Sequence, residues 1–148
     1  MREQYVAIFQ QQWEKIGLDA KPQTEEWNAF LDRITNTHDF EIFLVGFSWD
    51  VDPVQTTMWS SDAYQGGFNM NKHCNPRVDK LLKNALVTSD ISQRKHLYIQ
   101  MQNRLLDDLP SPILDFPKSL AVANKRVRNL LPNAVDMSVN AYRWWGSS

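Results

Sequence analysis

Two carboxylates and two aromatic side chains lie close together in this 148-residue chain, in the order Phe47, Trp49, Asp50 and Asp52. A carboxylate between apolar surfaces can accept a charge-assisted hydrogen bond from an ammonium group. The same two Asp residues also suggest paired carboxylates for acid–base hydrolysis. Residues two apart in a turn rarely face one another across a substrate, so binding is favoured over hydrolysis.

A structural role is the alternative for these polar residues. Asp side chains commonly cap short helical turns, and such a turn is expected near residues 53–59. Asp50 or Asp52 could cap this turn, and for Asp52, which precedes Pro53, the cap is the favoured interpretation. Asn69 presents a similar choice between a hydrogen bond to a ligand and the fixing of a turn, and the turn is favoured.

Other kinds of chemistry are not indicated by the sequence. His38, His73 and His96 are scattered, and the adjacent pair His73-Cys74 has poor geometry for chelating one metal ion. Neither a Gly-x-Ser-x-Gly motif nor a phosphate-binding loop is present. The formal net charge of −1 provides no broad basic surface for nucleic acid. We therefore expect no cofactor, no metal and no nucleic-acid partner.

Helical and strand-like patterns alternate over the first third of the chain. Residues 2–16 are predicted to form a helix that ends at Gly17, and residues 18–23 a short strand. Thr24 is expected to cap a second helix that extends to Ile34. The apolar run 40–47 is typical of a buried strand in a parallel sheet. The aromatic residues expected in the core are Trp13, Trp27 and Phe30.

A long irregular connection, residues 48–75, follows this run. A connection of that length is often functional in a compact domain. It contains Trp59, Tyr64 and Phe68, which could form a wall of a ligand cleft or a small hydrophobic cluster under the loop. The sequence does not decide between these two interpretations.

Two helices are strongly indicated after the connection. Asn75 is a good cap before Pro76 at the first helical position, and Asp90 with Gln93 resembles a capping box. Short strands are predicted at residues 113–116 and 119–122. Residues 1–148 are thus predicted to form a single α/β domain with a short, mostly parallel sheet flanked by helices. The residues expected on the buried faces of the helices are Val78, Leu81, Leu82, Ala85, Leu86, Leu97, Met101, Leu105 and Leu109.

Three stretches resemble, in order, the oligopeptide/dipeptide class of family 5 solute-binding proteins of ABC importers. The stretch from Trp13 to Leu18 (WEKIGL) is similar to the family's Q..L.KIGI turn. The stretch 38–53 is similar to DFD…GW…D.DP, and 69–110 is similar to N…Y.NP.VD.LL…R..LY…D.P. The sequence departs from the family at Phe47, where Trp is frequent, and at His73, where Tyr is common.

The resemblance implies one lobe of a type II periplasmic-binding-protein-like fold, specifically the C-terminal lobe of a two-lobed receptor that closes over its solute. It also implies that Asp50 receives the α-amino group of a peptide and that Phe47 and Trp49 shape the pocket. The implied ligand-binding residues are Asp50, Trp49, Phe47 and Asn69, and no catalytic residue is implied.

The resemblance also sets expectations about partners. They are a short peptide or other solute, the missing N-terminal lobe and the membrane subunits of an ABC importer. No secretory signal follows Met1, so the chain is expected either to be intracellular or to start inside a longer protein. The resemblance favours a longer protein that is periplasmic or extracytoplasmic. A strand between 18–23 and 40–47 would be lacking, and a strand-swapped homodimer could supply one. The alternative is a solute-sensing module fused to a signalling or transcription protein.

Overall fold

The computed structural model describes residues 2–48, 52–118, 120–131, 133, 136 and 138–146. They divide into two units. Residues 1–46 and 54–110 make up the first unit, which contains the helices. Residues 47–53 and 111–148 make up the second unit, which contains the strands.

The first helix, α1 (Arg2–Glu14), confirms the helix predicted over residues 2–16. Its end is fixed by Gly17, whose φ of 85° suits glycine, and by a hydrogen bond from the Leu18 N–H to the Trp13 carbonyl. The rings of Phe9 and Trp13 stack with their centroids 5.5 Å apart. No residue of α1 is buried, so the prediction that Trp13 lies in the core is wrong within the described residues.

Helix α2 (Trp27–Asp32) continues directly as a π-helix, Arg33–Thr37. Its N-cap is Glu26 and not Thr24 as predicted. The Glu26 carboxylate accepts hydrogen bonds from the main-chain N–H groups of Asn28 and Ala29 at 2.8 and 3.1 Å. Trp27 remains 51% exposed, contrary to the core prediction, because it lies in the first turn and no other element covers it.

Four further helical segments complete the first unit. They are α3 (Thr56–Trp59), a 3-10 turn (Ser61–Tyr64), α4 (Pro76–Val87) and α5 (Ile91–Asp108). The predicted caps are confirmed, because Asn75 accepts from the Arg77 N–H at 2.9 Å and Asp90 from the Gln93 N–H at 2.7 Å.

The core of the first unit is the α4–α5 hairpin. Apolar residues at spacings of three and four face each other across it, as predicted, although Leu86 and Leu109 stay largely exposed. Helix α3 packs on α4 through Trp59. The buried residues are Val78, Leu82, Ala85, Tyr98 and Met101, with Leu81, Leu97 and Leu105 packed against them.

The mostly parallel sheet is not confirmed. Residues 18–23 and 40–47 have no regular secondary structure. The main-chain N–H and C=O groups of residues 39–46 make no main-chain hydrogen bond within the described parts of the chain. The physical reason is that a strand exists only when a neighbouring strand pairs with it, and no described segment pairs with residues 18–23 or 40–47 in this way.

The second unit contains two short strands, β1 (Val127–Arg128) and β2 (Trp145–Gly146). They pair antiparallel, and a 3-10 turn, Ala141–Arg143, precedes β2. Residues 113–116 and 120–122, which were predicted as strands, are irregular, and Ser119 lies outside the described residues. Pro117 removes a main-chain donor between these two segments.

Across the described ranges, no helix is long and apolar enough to cross a membrane.

Candidate functional site

The four predicted ligand-binding residues lie in different parts of the chain. Trp49 and Asp50 are outside the described residues. Phe47 belongs to the second unit and is 38% exposed, while Asn69 belongs to the first unit and is buried. The structure therefore does not test whether these residues form one site.

The Asn69 side chain is fully engaged with the main chain around it. Its amide nitrogen donates to the carbonyls of Ser60 and His73 at 2.9 and 2.8 Å. Its amide oxygen accepts from the His73 N–H at 3.0 Å. Asn69 is 3% exposed. Its side chain provides hydrogen-bond partners to main-chain groups that are themselves buried or half-buried. The geometry favours the turn-fixing interpretation, and a contact with ligand stays a prediction.

The aromatic residues of the long connection have different surroundings. Trp59 packs against the α4–α5 core, whereas Phe68 is 48% exposed. Tyr64 stacks on the His38 ring with centroids 4.2 Å apart, and the Lys72 ammonium lies 5.1 Å from its centroid. Trp59 is thus a structural residue, which agrees with the interpretation that these aromatic residues form a hydrophobic cluster under the loop.

The start of the 3-10 turn is tied to helix α4 by one carboxylate. Asp79 accepts from the Ser61 main-chain N–H at 2.8 Å and from the Ser61 hydroxyl at 2.7 Å. A carboxylate at the start of this turn satisfies a donor that the helix itself leaves unpaired. This pair was not predicted, because 18 residues separate its members.

A second polar cluster joins the end of the connection to the C-terminus of α5. Asp108 accepts hydrogen bonds from His73 Nε2 at 3.0 Å and from the Asn75 side chain at 2.5 Å. Arg104 pairs with its other oxygen at 2.9 Å. The hydrogen bond from His73, that from Asn75 and the Arg104 charge hold the pKa of Asp108 below its usual range.

This cluster was missed by sequence reasoning, although all four of its members lie in the family-like stretch 69–110. Asn75 was assigned only its capping role, which it also performs. His73 occupies a position where the family commonly has Tyr, and its buried Nδ1 has no hydrogen-bond partner in the part of the chain that the structure describes. The proximity of His73 to Asp108, 35 residues away, depends on tertiary packing that local patterns do not report.

The described side chains do not form a metal site. No group of three or more His, Cys, Asp or Glu residues could hold a metal ion there. The hydrolase hypothesis needs the separation between Asp50 and Asp52, and Asp50 lies outside the described residues. Two open depressions of about 390 Å³ each are lined by Ser61, Asp62, Tyr64 and Gln65 and by Ser92, Gln93, His96 and Leu97.

The fold identifies the class of protein to which the chain is similar. The structure matches that of the oligopeptide-binding protein AppA of Bacillus subtilis, solved in complex with a nonapeptide, with a TM-score of 0.77 and 24% identity. The match covers 99% of this chain and 29% of that one. The chain therefore has the fold of a part of this type II periplasmic binding protein.

Comparison with curated sequences points to the same class of protein, although no protein-family profile matches the chain. AppA of Bacillus subtilis is 27% identical over 146 residues, which are 98% of this chain and 27% of AppA. Di/tripeptide-binding protein 1 of Pseudomonas aeruginosa is 35% identical over 106 residues, 70% of this chain and 19% of the relative. The dipeptide-binding protein of Escherichia coli is 28% identical over 123 residues, 82% and 23% of the two chains.

The chain is thus a homologue of the peptide-binding proteins of solute-binding family 5, which work with ABC importers, and the resemblance stated from its motifs is confirmed. It spans only about a fifth to a quarter of the length of these curated relatives.

Proposed function

We propose that the chain forms the C-terminal lobe, or most of it, of a peptide-binding protein that delivers its ligand to an ABC importer. The observation that carries this proposal is the 35% identity to a di/tripeptide-binding protein over 70% of the chain. The similarity to AppA over 98% of the chain supports the same assignment. The relatives are binding proteins and not enzymes, so the proposed role is recognition without covalent chemistry.

The proposed recognition chemistry rests on the segment that follows residues 40–46. By its position in the DFD…GW…D.DP motif, Asp50 accepts a charge-assisted hydrogen bond from the α-ammonium group of the peptide. Phe47 and Trp49 provide the aromatic surfaces that shape the pocket. Asn69 contributes to the site by fixing the turn between Ser60 and His73, the role that its hydrogen bonds support.

The proposed partners are those of a two-lobed receptor. The peptide is held between this lobe and an N-terminal lobe, and the membrane subunits of the importer receive it. The relatives are periplasmic or extracellular binding proteins, and we assign the same extracytoplasmic location to this chain. The relatives do not favour a sensor module fused to a signalling protein.

The main chain of residues 39–46, which makes no main-chain hydrogen bond among the described residues, supports a further part of the proposal. Hydrogen-bonding groups left without partners are costly when they are buried, and Phe43, Leu44 and Val45 are already half-buried. A β-strand from the rest of such a receptor would pair with these groups. A second copy of the chain could supply the strand by swapping, which would give a homodimer.

A hybrid protein tests the function directly. The part of AppA matched by this chain is replaced by residues 1–148, and binding of a nonapeptide is measured by calorimetry. We expect the hybrid to bind the nonapeptide. A second hybrid carries Leu82→Ala, which weakens the α4–α5 core, and we expect it to have a lower melting temperature. A hybrid that melts cooperatively but binds no peptide would contradict the proposed function.

A further inference from the structure

Tyr64 and His38 make a ring contact that connects two parts of the first unit. Residues 19–46 carry α2 and the π-helix, and residues 54–110 carry the α4–α5 core. Of the hydrogen bonds, ion pairs and ring contacts among the described residues, the one that joins these two parts is the stack of His38 on Tyr64. The ring centroids are 4.2 Å apart and the planes are inclined by 20°.

The phenol ring is mounted firmly on the helical core. Tyr64 ends the 3-10 turn whose first residue, Ser61, makes two hydrogen bonds to Asp79 of α4. The main-chain N–H of Phe68 donates to the Thr57 carbonyl at 2.7 Å, which closes the loop beyond the ring. The Tyr64 ring is therefore positioned by α3 and α4, whatever residues 19–46 do.

The imidazole ring reaches Tyr64 through an unusual backbone conformation. His38 follows the π-helix and has a φ of 51°, in the left-handed region that a residue with a side chain seldom adopts. Its ring makes no hydrogen bond within the described residues, and its Nδ1 is buried without a partner. The stacking contact with Tyr64 therefore offsets the energetic cost of the left-handed backbone at His38.

We propose that the His38–Tyr64 stack is a latch that holds residues 39–46 against the helical core. Residues 39–46 start directly after His38 and make no main-chain hydrogen bond to any residue that the structure describes, so the stack fixes the point at which this segment starts. The half-buried side chains of Phe43, Leu44 and Val45 are kept from solvent while the latch is closed. Tyr64 is a positioning residue in this account, which does not depend on the proposed function.

Thiol labelling tests the latch in the full chain. The native thiol is removed by Cys74→Ser, and a reporter thiol is introduced by Val45→Cys. The matched reporter is Ala85→Cys, at a position in α4 that is fully buried. Labelling at position 45 reports release of residues 39–46, and labelling at position 85 reports opening of the helical core.

Removal of the ring by Tyr64→Leu is expected to raise the labelling rate at position 45 about tenfold and to leave the rate at position 85 within about twofold. The conservative change Tyr64→Phe keeps the ring and is expected to change neither rate. His38→Asn, which tolerates a positive φ but lacks the ring, should have the same effect as Tyr64→Leu.

The two changes together should have no greater effect than either one alone, because both remove a single contact. Additive effects of Tyr64→Leu and His38→Asn would overturn the latch. An unchanged rate at position 45, or an equal rise at positions 45 and 85, would overturn it as well.

Discussion

Single side chains in the loop between α3 and α4, and in α4 itself, hold that loop in place through hydrogen bonds. Asn69 makes three hydrogen bonds to main-chain groups, and Asp79 makes two hydrogen bonds to Ser61. The sequence indicated that Asn69 would fix a turn, since Asn favours turns. It could not indicate the partner of Asp79 or of Asp108, because those partners lie 18 to 35 residues away.

Replacement of Asn69 by Ala should destabilise the chain strongly. The change removes the side-chain partner of the half-buried N–H and C=O groups of His73 and one of the two hydrogen bonds to the Ser60 carbonyl, and the expected loss is about 2–3 kcal/mol of unfolding free energy. Urea denaturation measures this loss. Asn71→Ala removes a hydrogen bond from an exposed side chain to the Pro110 carbonyl and should cost about 1 kcal/mol or less. Equal losses in the two variants would argue against the role given to Asn69.

The Asp108 cluster should make stability depend on acid pH. Several interactions lower the pKa of Asp108 in the folded chain, and the largest is the hydrogen bond from His73. The usual pKa of Asp in an unfolded chain is about 3.9. The ionised carboxylate therefore favours folding at all pH values above that, and the contribution is lost as the pH falls through the lowered pKa. Asp108→Asn should flatten the decrease in denaturation midpoint between about pH 5 and pH 2.

Asp136 in the second unit provides a comparison for this measurement. Hydrogen bonds from the Ser138 main chain and hydroxyl lower its pKa too, so Asp136→Asn should remove a separate part of the acid dependence. The double variant should lose both parts. An acid dependence that is unchanged in Asp108→Asn would show that the cluster does not contribute.

At the scale of elements, local signals located the helices and failed for the strands. Helix α1 begins and ends within two residues of its predicted bounds, and α4 and α5 begin at the predicted caps, because caps and apolar spacing act within a few residues. The apolar run 40–47 was predicted to be a strand on composition, but a strand also needs a neighbour to pair with. Composition carries no information about that neighbour.

The α4–α5 hairpin should account for much of the stability of the first unit. Leu82 is 1% exposed in its core, and Leu82→Ala should cost about 2–5 kcal/mol through lost burial and the cavity left behind. Leu106 on α5 is 67% exposed, and Leu106→Ala should cost about 0.5 kcal/mol or less. Thermal or chemical denaturation of both variants measures the difference. Similar losses of unfolding free energy would show that the α4–α5 hairpin is not the main source of stability.

For the whole molecule, the fold and the homology agree on a receptor class, while the site depends on residues that the structure does not describe. The motifs located the family because their order and spacing extend over most of the chain. They could not give the geometry around Asp50, since in the proposed receptor that geometry depends on a second lobe. One wall of a cleft offers too few contacts to offset the cost of ordering a ligand.

The isolated chain should therefore bind peptide weakly. Calorimetric titration with trialanine is expected to give no dissociation constant tighter than about 100 μM, which is about −5.5 kcal/mol. A micromolar or tighter constant for the isolated chain would mean that one lobe forms a complete site.

The most direct measurement concerns Asp50 and the amino terminus of the peptide. Calorimetry compares a free and an N-acetylated nonapeptide binding to the hybrid of AppA that carries residues 1–148, with and without Asp50→Asn. The free peptide should bind about tenfold or more tightly than the acetylated one, because a charged hydrogen bond of about 1.5–3 kcal/mol is lost on acetylation. Asp50→Asn should remove the preference. Equal binding of both peptides to the unchanged hybrid would contradict the proposed role of this carboxylate.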